Sequence, residues 1–242
     1  MILVEEKPGI WTVTLNRPDK ANALTPEMLE QLDAVFRRAA ATDNLRSLVI
    51  TGAGDKVFSA GADLGAARGS GNFTTSPIWE QVSSRLAALP CLTICALNGT
   101  LAGGGFGVAL ACDLRISAPH ARFFYPVLRN GFLPQPSDVA RMKELIGPAR
   151  TSLILLTGNP LSADQALAFG LVDLIVDEDR IDQTIDMLTE AACNSTGAAL
   201  IAIKALIRHS DPADLAEDAR AAVHQQDEDA IARLRQKIMN TS

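Results

Sequence analysis

The stretch from Ile94 to Asp113 constrains this chain more than any other. An apolar run, Leu92-Thr-Ile-Cys-Ala-Leu97, has the character of a strand and meets Asn98-Gly99. Gly103, Gly104 and Gly105 then open an Ala/Leu/Val run with helical spacing. A glycine-rich entry of this kind leaves backbone N–H groups exposed at a helix N-terminus, where they attract negative charge. A second stretch, Val57-Phe-Ser-Ala60-Gly61-Ala62-Asp63-Leu64, follows another apolar strand-like run, Ser47 to Gly52, and offers a further N–H. Two such donors aimed at one point make an oxyanion hole.

The rest of the composition bounds the partners. A chain of 242 residues suits one sizeable domain with a substantial core, and 48% hydrophobic with 21% charged residues is ordinary for a globular protein. A net charge of −6 argues against nucleic acid, which needs a basic face. No apolar run reaches the length of a membrane span, and the N-terminus lacks the basic-then-apolar pattern of a leader. The expected location is therefore the cytoplasm, away from any membrane. Cys91, Cys95, Cys112 and Cys193 stand in apolar or Ala-rich surroundings without metal-type spacing to His120, His209 or His224, so they read as reduced core thiols. The glycines of Gly103-Gly-Gly-Phe-Gly107 are not spaced as in a dinucleotide fingerprint, and neither a metal nor a nicotinamide is expected.

Along the chain, residues 2–6 and 10–15 alternate around the turn signal Lys7-Pro8-Gly9 and predict a β-hairpin. Thr25-Pro26-Glu27 is a helix start, and Met28, Leu29, Leu32, Val35 and Phe36 form one stripe of a helix reaching about Ala41. Residues 65–77 are small and polar enough to be mobile, residues 78–89 have helical spacing, and Pro90 ends that helix. Ser137 and Asp138 are expected to cap a helix over 139–146 that Gly147-Pro148 closes. From residue 179 on, amphipathic Ala-rich helices follow with no strand signal, dividing the chain into a core over 1–178 and a helical region over 179–242.

Phe58-Ser-Ala-Gly-Ala-Asp-Leu64 and Asn98-Gly-x-x-x-Gly103-Gly-Gly105, about forty residues apart, resemble the paired signatures of the enoyl-CoA hydratase/isomerase (crotonase) superfamily. Further matching motifs run to about residue 176, including Arg17-Pro to Asn22-Ala-Leu24, Cys112-Asp-x-Arg-Ile116 and the packing stretch Thr157 to Asp173. The resemblance implies an α/β fold, a spiral of ββα units with a C-terminal helical trimerisation layer, assembled as a homotrimer or a dimer of trimers. It implies an acyl-CoA partner, with coenzyme A entering as part of the substrate and no separate cofactor. The N–H groups of Ala62 and Gly104 would hold the enolate of the thioester. Lys20 and Ala21 become coenzyme A contacts; Ala60, Asp63 and Leu64 are candidate substrate contacts, and residues 65–85 wall the acyl pocket.

The resemblance fails where proton transfer is expected. Hydratases of the superfamily use two glutamates, and the matching positions here are Gly107 and Val127; a position where other members carry an Asp is Gln135. None of the three side chains can move a proton at neutral pH. A glycine inside a helix costs about 1 kcal/mol relative to alanine. Gly107 therefore serves either close helix packing or an acyl group that needs the space. Tyr125, Asp138, Asp63 and Glu80 remain as ionisable candidates, with Asp138 the most suitable acid/base and an N-cap role its competing explanation. Asp113 and Arg115 read as structural partners. Gly107, Tyr125, Val127 and Gln135 are candidate substrate contacts. The expected function is acyl-CoA thioester processing in which ordinary hydration is slow. The alternatives are an acyl-CoA-binding protein with impaired catalysis, or a thioester hydrolase, decarboxylase or isomerase working through Asp138 or a bound water. Glutamates restored at 107 and 127 are expected to raise hydratase activity.

Overall fold

The computed structural model describes residues 1–67 and 73–240. Two sheets organise it. The larger contains β1 (Ile2–Lys7), β2 (Ile10–Leu15), β3 (Ser47–Gly52), β5 (Leu92–Leu97), β7 (Leu114–Ser117) and β10 (Leu174–Ile175), hydrogen-bonded in that order. Within it only the β1–β2 hairpin is antiparallel, and Gly9 at φ +80° turns it. The smaller sheet contains β4 (Val57–Ser59), β6 (Thr100–Ala102), β8 (Arg122–Phe124) and β9 (Leu161–Ser162), with the first three parallel.

Residues of a strand alternate between faces, and the central strands β3, β5 and β7 of the larger sheet are buried on both. Leu48, Ile50, Cys95 and Leu97 enter the main core. Val49, Ile94, Ala96 and Ile116 look the other way and are covered by Ile181, Ile185 and Leu188 of the helix Ile181–Asn194. This explains why the short apolar runs read as strands despite lacking polar alternation.

The helices are α1 (Pro26–Ala40), α2 (Leu64–Ala67), α3 (Ile78–Ala87), α4 (Gly105–Ala109), α5 (Val127–Asn130), α6 (Pro136–Ser152), α7 (Ala163–Phe169), α8 (Ile181–Asn194), α9 (Gly197–Arg208), α10 (Ala216–Arg220) and α11 (Glu228–Asn240). Helix α1 starts as its sequence predicts: Thr25 Oγ1 accepts from the Met28 N–H at 3.2 Å, and Met28, Leu29, Leu32 and Phe36 are buried. Helices α9 to α11 enclose a small core of their own around Ile201, Leu215, Leu234 and Ile238. No single described helix is long and apolar enough to cross a membrane.

Helix α9 is tied to the main body through Asp113. Its carboxylate receives Lys204 Nζ at 2.7 Å and Arg208 Nη2 at 2.9 Å, while Lys204 also donates to Cys91 O at 2.6 Å. Burial opposes the charge on Asp113, but the two cations outweigh it and keep its carboxyl below the usual carboxylate range. Arg115 likewise binds Asp173 at 3.0 Å and the Leu171 and Cys112 carbonyls at 2.9 Å each.

Two sequence expectations need correction. Ser137 and Asp138 do not cap α6: its N-cap is Gln135 and its first residue is Pro136, whose fixed φ already suits a helix start. Asp138 thus sits in the first turn, and the Ser137 N–H is satisfied at 3.1 Å by Glu80 from α3. Gly147 breaks the helix at φ +77°, as expected, yet helical structure resumes at Pro148 and runs on to Ser152. Of the stretch expected to be mobile, residues 68–72 lie outside the described residues. Phe73–Thr75 form a 3₁₀ turn with Phe73 buried.

Candidate active site

Strands β4, β6 and β8 lie side by side and parallel, so the chain leaves all three at the same end of the sheet. Residues 60–63, Gly103–Gly104 and Tyr125–Val127 follow directly. Ala60, Ala62, Gly103, Gly104 and Tyr125 to Val127 line a cavity of about 110 Å³ that opens to solvent.

The first loop is held from below by residues 17–24. Ala21 and Asn22 take positive φ values of 50° and 51°, a conformation that costs a non-glycine residue about 1 kcal/mol or more. The Asn22 side chain fixes the turn: Oδ1 accepts from the Arg17 N–H at 2.9 Å, and Nδ2 donates to Ala53 O at 2.9 Å and Val57 O at 2.8 Å. Ala60 N–H then donates to Ala21 O at 2.9 Å. Leu24 receives the next residues as a short parallel bridge, its N–H donating to Gly61 O at 2.7 Å and its carbonyl accepting from Asp63 N–H at 2.9 Å. In that pattern the intervening residue, Ala62, turns its own N–H to the opposite side. Arg17 closes the arrangement on Asp63 at 2.6 Å.

The second loop touches the first at one glycine. Gly61 has φ +87°, and a Cβ there would stand 2.8 Å from Gly104 N. Trp79 of α3 covers the other side: a Cβ on Gly104 would lie 2.8 Å from its ring. The indole is fixed by its Nε1–H bond to Phe73 O at 2.9 Å. Ala62 and Gly104 both line the cavity, and among the described residues neither N–H has a protein acceptor.

Of the predicted contacts, Ala60, Ala62, Leu64, Gly104, Tyr125, Val127 and Gln135 line the cavity. Lys20, Ala21, Asp63, Gly107 and Asp138 do not. Lys20 is exposed on the 3₁₀ turn Pro18–Lys20, Ala21 supports Ala60, and Asp63 pairs with Arg17. Of the two readings given to Gly107, close helix packing holds: a Cβ there would lie 3.1 Å from Oδ1 of Asp138 on α6, and Ser83 of α3 donates to its carbonyl, whereas Gly107 does not line the cavity.

Asp138 is 1% exposed. Tyr125 donates its hydroxyl to Oδ2 at 2.9 Å, whereas Oδ1 has no hydrogen-bond partner. Burial pushes the Asp138 carboxyl up to about 7; the Tyr125 bond and the Arg141 charge work against that rise, and Glu80 adds to it. The Tyr125 hydroxyl is itself held far above its usual range, by burial and then by Asp138. Arg141, one helical turn after Asp138, donates to Ser83 Oγ at 2.5 Å, and Ser83 donates to Gly107 O at 2.8 Å.

The stretch 65–85, expected to wall the acyl pocket, contributes Thr74 and Trp79 to the lining; Phe124, Phe132 and Leu133, which sequence did not single out, add further apolar surface. Trp79 lies 25 residues before Gly104, and no local signal connects them. Arg141 was closer to hand, since residues three apart on a helix face the same way. Among the described residues no cluster of His, Cys, Asp and Glu could hold a metal ion.

A family model described as Enoyl-CoA hydratase/isomerase matches residues 5–237. The 1,2-epoxyphenylacetyl-CoA isomerase of Escherichia coli K12 is 33% identical over 218 residues, covering 87% of this chain and 82% of its own. The short-chain-enoyl-CoA hydratase of Clostridium acetobutylicum is 28% identical over 217 residues, covering 88% and 83%. The crystal structure of an enoyl-CoA hydratase/carnithine racemase from Magnetospirillum magneticum superposes with a TM-score of 0.83 at 29% identity, covering 98% of this chain and 92% of that one.

Proposed function

Since the chain belongs to the enoyl-CoA hydratase/isomerase family, we propose that it is an enzyme that draws a thioester carbonyl onto the N–H groups of Ala62 and Gly104 and stabilises the enolate formed there. The observation that carries this reading is that Ala62 and Gly104, whose N–H groups have no protein acceptor among the described residues, follow adjacent parallel strands and line the same aromatic-walled cavity. Such donors are fixed before charge develops, and the loss of one typically costs about 10²–10³ in rate. Lys20 stands at the exposed side of the turn that supports Ala60, suited to the phosphates of coenzyme A. Leu64, Tyr125, Val127 and Gln135 border the acyl group.

Ordinary hydration fits poorly, because Gly107 and Val127 bring no ionisable group to the cavity. The buried Asp138 carboxyl supplies the acid/base function, which suits a lyase or isomerase that needs one such group. An acyl-CoA-binding role with impaired catalysis is the second reading, favoured by the burial of Asp138 away from the cavity surface. Exposed Leu128 and Leu133, with Leu153 and Leu156 on the helical turn after α6, support burial against further copies in a trimer or a dimer of trimers.

Calorimetry and liquid chromatography with mass spectrometry test this, using coenzyme A and a panel of acyl-CoA thioesters in the presence of a chelator. Binding with conversion of at least one thioester is the expected result, and binding without conversion selects the second reading. No binding to any thioester overturns the proposal.

A further inference from the structure

Asp138 presents a contradiction in placement. It is almost wholly buried and absent from the cavity lining, so its carboxyl meets neither substrate nor bulk water. Yet it is held in a site that does not satisfy it: one oxygen has no partner, and that oxygen lies where a Cβ at position 107 would stand only 3.1 Å away. A buried carboxyl with an unpaired oxygen is costly, and folds retain such groups where chemistry uses them.

Tyr125 is the residue that connects the two regions. It lines the cavity directly after the end of β8, and its hydroxyl bonds Asp138 Oδ2 at 2.9 Å. Its ring is stacked on Phe106 of α4, with centroids 5.3 Å apart and planes 16° apart. Phe106 lies two residues beyond Gly104 on the same glycine-rich entry, so the phenol is fixed to the segment that carries the proposed carbonyl donor. Resting on the thioester reading above, we propose that Tyr125 is the catalytic residue that exchanges a proton with the acyl carbon beside the thioester, and that Asp138 is a positioning residue that supplies and receives that proton through the Tyr125 hydroxyl.

The step balances without a cofactor. In one direction the substrate C–H bond breaks and its proton joins the Tyr125 oxygen, while the former Tyr125 proton passes to Asp138 Oδ2. The electron pair of the C–H bond moves into the thioester, and the negative charge of Asp138 appears on the carbonyl oxygen at Ala62 and Gly104. In reverse, protonated Asp138 donates to the Tyr125 oxygen, and the phenol proton goes to the same carbon or to a conjugated one. Tyr125 never needs to carry a net charge, which agrees with a hydroxyl held far above its usual range. The charged and titratable groups around Asp138 are Arg141 on its own helix, Glu80 from α3 and Tyr125 after β8. A carboxyl near 7 in that setting gives the relay both a proton to donate and a base to accept one at neutral pH.

The test is deuterium incorporation from D₂O into butyryl-CoA and phenylacetyl-CoA, read by mass spectrometry from about pH 5 to about pH 9, with calorimetry of the same thioesters. The unaltered protein is expected to incorporate deuterium at a rate that rises through about pH 7 and then levels, because proton removal needs the Asp138 carboxylate. Tyr125→Phe and Asp138→Asn should bind both thioesters within about threefold of the unaltered protein but exchange about 10²–10⁴-fold more slowly, and the Asn variant should lose the pH dependence. Exchange unchanged by Tyr125→Phe, or binding by the unaltered protein with no exchange at all, overturns the relay and leaves the thioester site standing. No binding of either probe, extended to the wider panel, overturns the thioester reading and the relay together. Should Tyr125→Phe fail to fold by circular dichroism, the pH profile and Asp138→Asn decide, and a flat profile in the unaltered protein rejects the proposal.

Discussion

Gly107 and Asp138 share one space: a Cβ on the glycine would stand 3.1 Å from Oδ1 of the aspartate. Glutamates at 107 and 127, expected from sequence to raise hydration, therefore meet an obstacle. A glutamate at position 107 would crowd the Asp138 carboxylate from its Cβ onward and set a second carboxylate beside it. Gly107→Glu with Val127→Glu should gain no crotonyl-CoA hydration, whereas adding Asp138→Ala should allow a gain of about tenfold or more from the positioned acid/base. Steady-state hydration rates, read after circular dichroism has established folding, check the order of the two variants. Gly107→Ala is the milder case, gaining helix propensity of about 1 kcal/mol and asking the Asp138 carboxylate to give by a few tenths of an ångström.

Asp138 also governs stability against pH. Its folded value near 7 lies above the ordinary 3.8, so between those values the folded protein holds a proton that the unfolded chain releases. Stability from this group falls as pH rises through that window and is level above it. Asp138→Asn is expected to be more stable than the unaltered protein by a few kcal/mol at pH 8 and to lose that advantage near pH 4. Urea unfolding at the two pH values measures it.

Asp113 works in the opposite sense, as a charge that is satisfied by Lys204 and Arg208. Asp113→Ala strands a lysine that is 5% exposed, and should destabilise the fold by about 3–5 kcal/mol. Replacing both partners, as in Asp113→Leu with Lys204→Met, should recover much of that loss, because no buried charge then lacks its counter-charge at 204. Denaturant unfolding of the single and double variants gives the comparison.

Gly104→Ala probes the wall opposite Gly61. Its φ of −60° tolerates alanine, so the strain falls on Trp79, whose ring would be 2.8 Å from the new Cβ. We expect a shift in tryptophan emission, acyl-CoA binding weakened about tenfold, and an overpacking cost of about 1–3 kcal/mol. Unchanged emission would place Trp79 elsewhere in solution.

The parts of the fold written in local pattern were legible in the sequence. The hairpin turned at Gly9, the capped start of α1 and the glycine-rich entry to α4 all depend on neighbours within a few residues. The cavity depends on contacts across many residues, such as Trp79 over Gly104, and no spacing rule reveals those. Asp138 shows why an N-cap reading misleads: Ser137 and Asp138 have the right residue types, but Pro136 starts the helix earlier and Glu80, from another helix, takes the role at a distance. The glycine at 107 raised the right question in sequence. Its answer required knowing that α6 brings a carboxylate to that point.

The two amides proposed to hold the thioester carbonyl belong to the main chain, not to any side chain. A codon change at Ala62 or Gly104 can crowd or tilt them, but it cannot delete them unless it introduces proline, which alone lacks the N–H. The neighbouring positions are thereby released from a common constraint: 107, 125, 127, 135 and 138 can exchange residue types while the electrophile-holding groups persist. On the proposed reading, a fold of this design can lose one reaction and acquire another by side-chain drift alone, with both main-chain donors still in place.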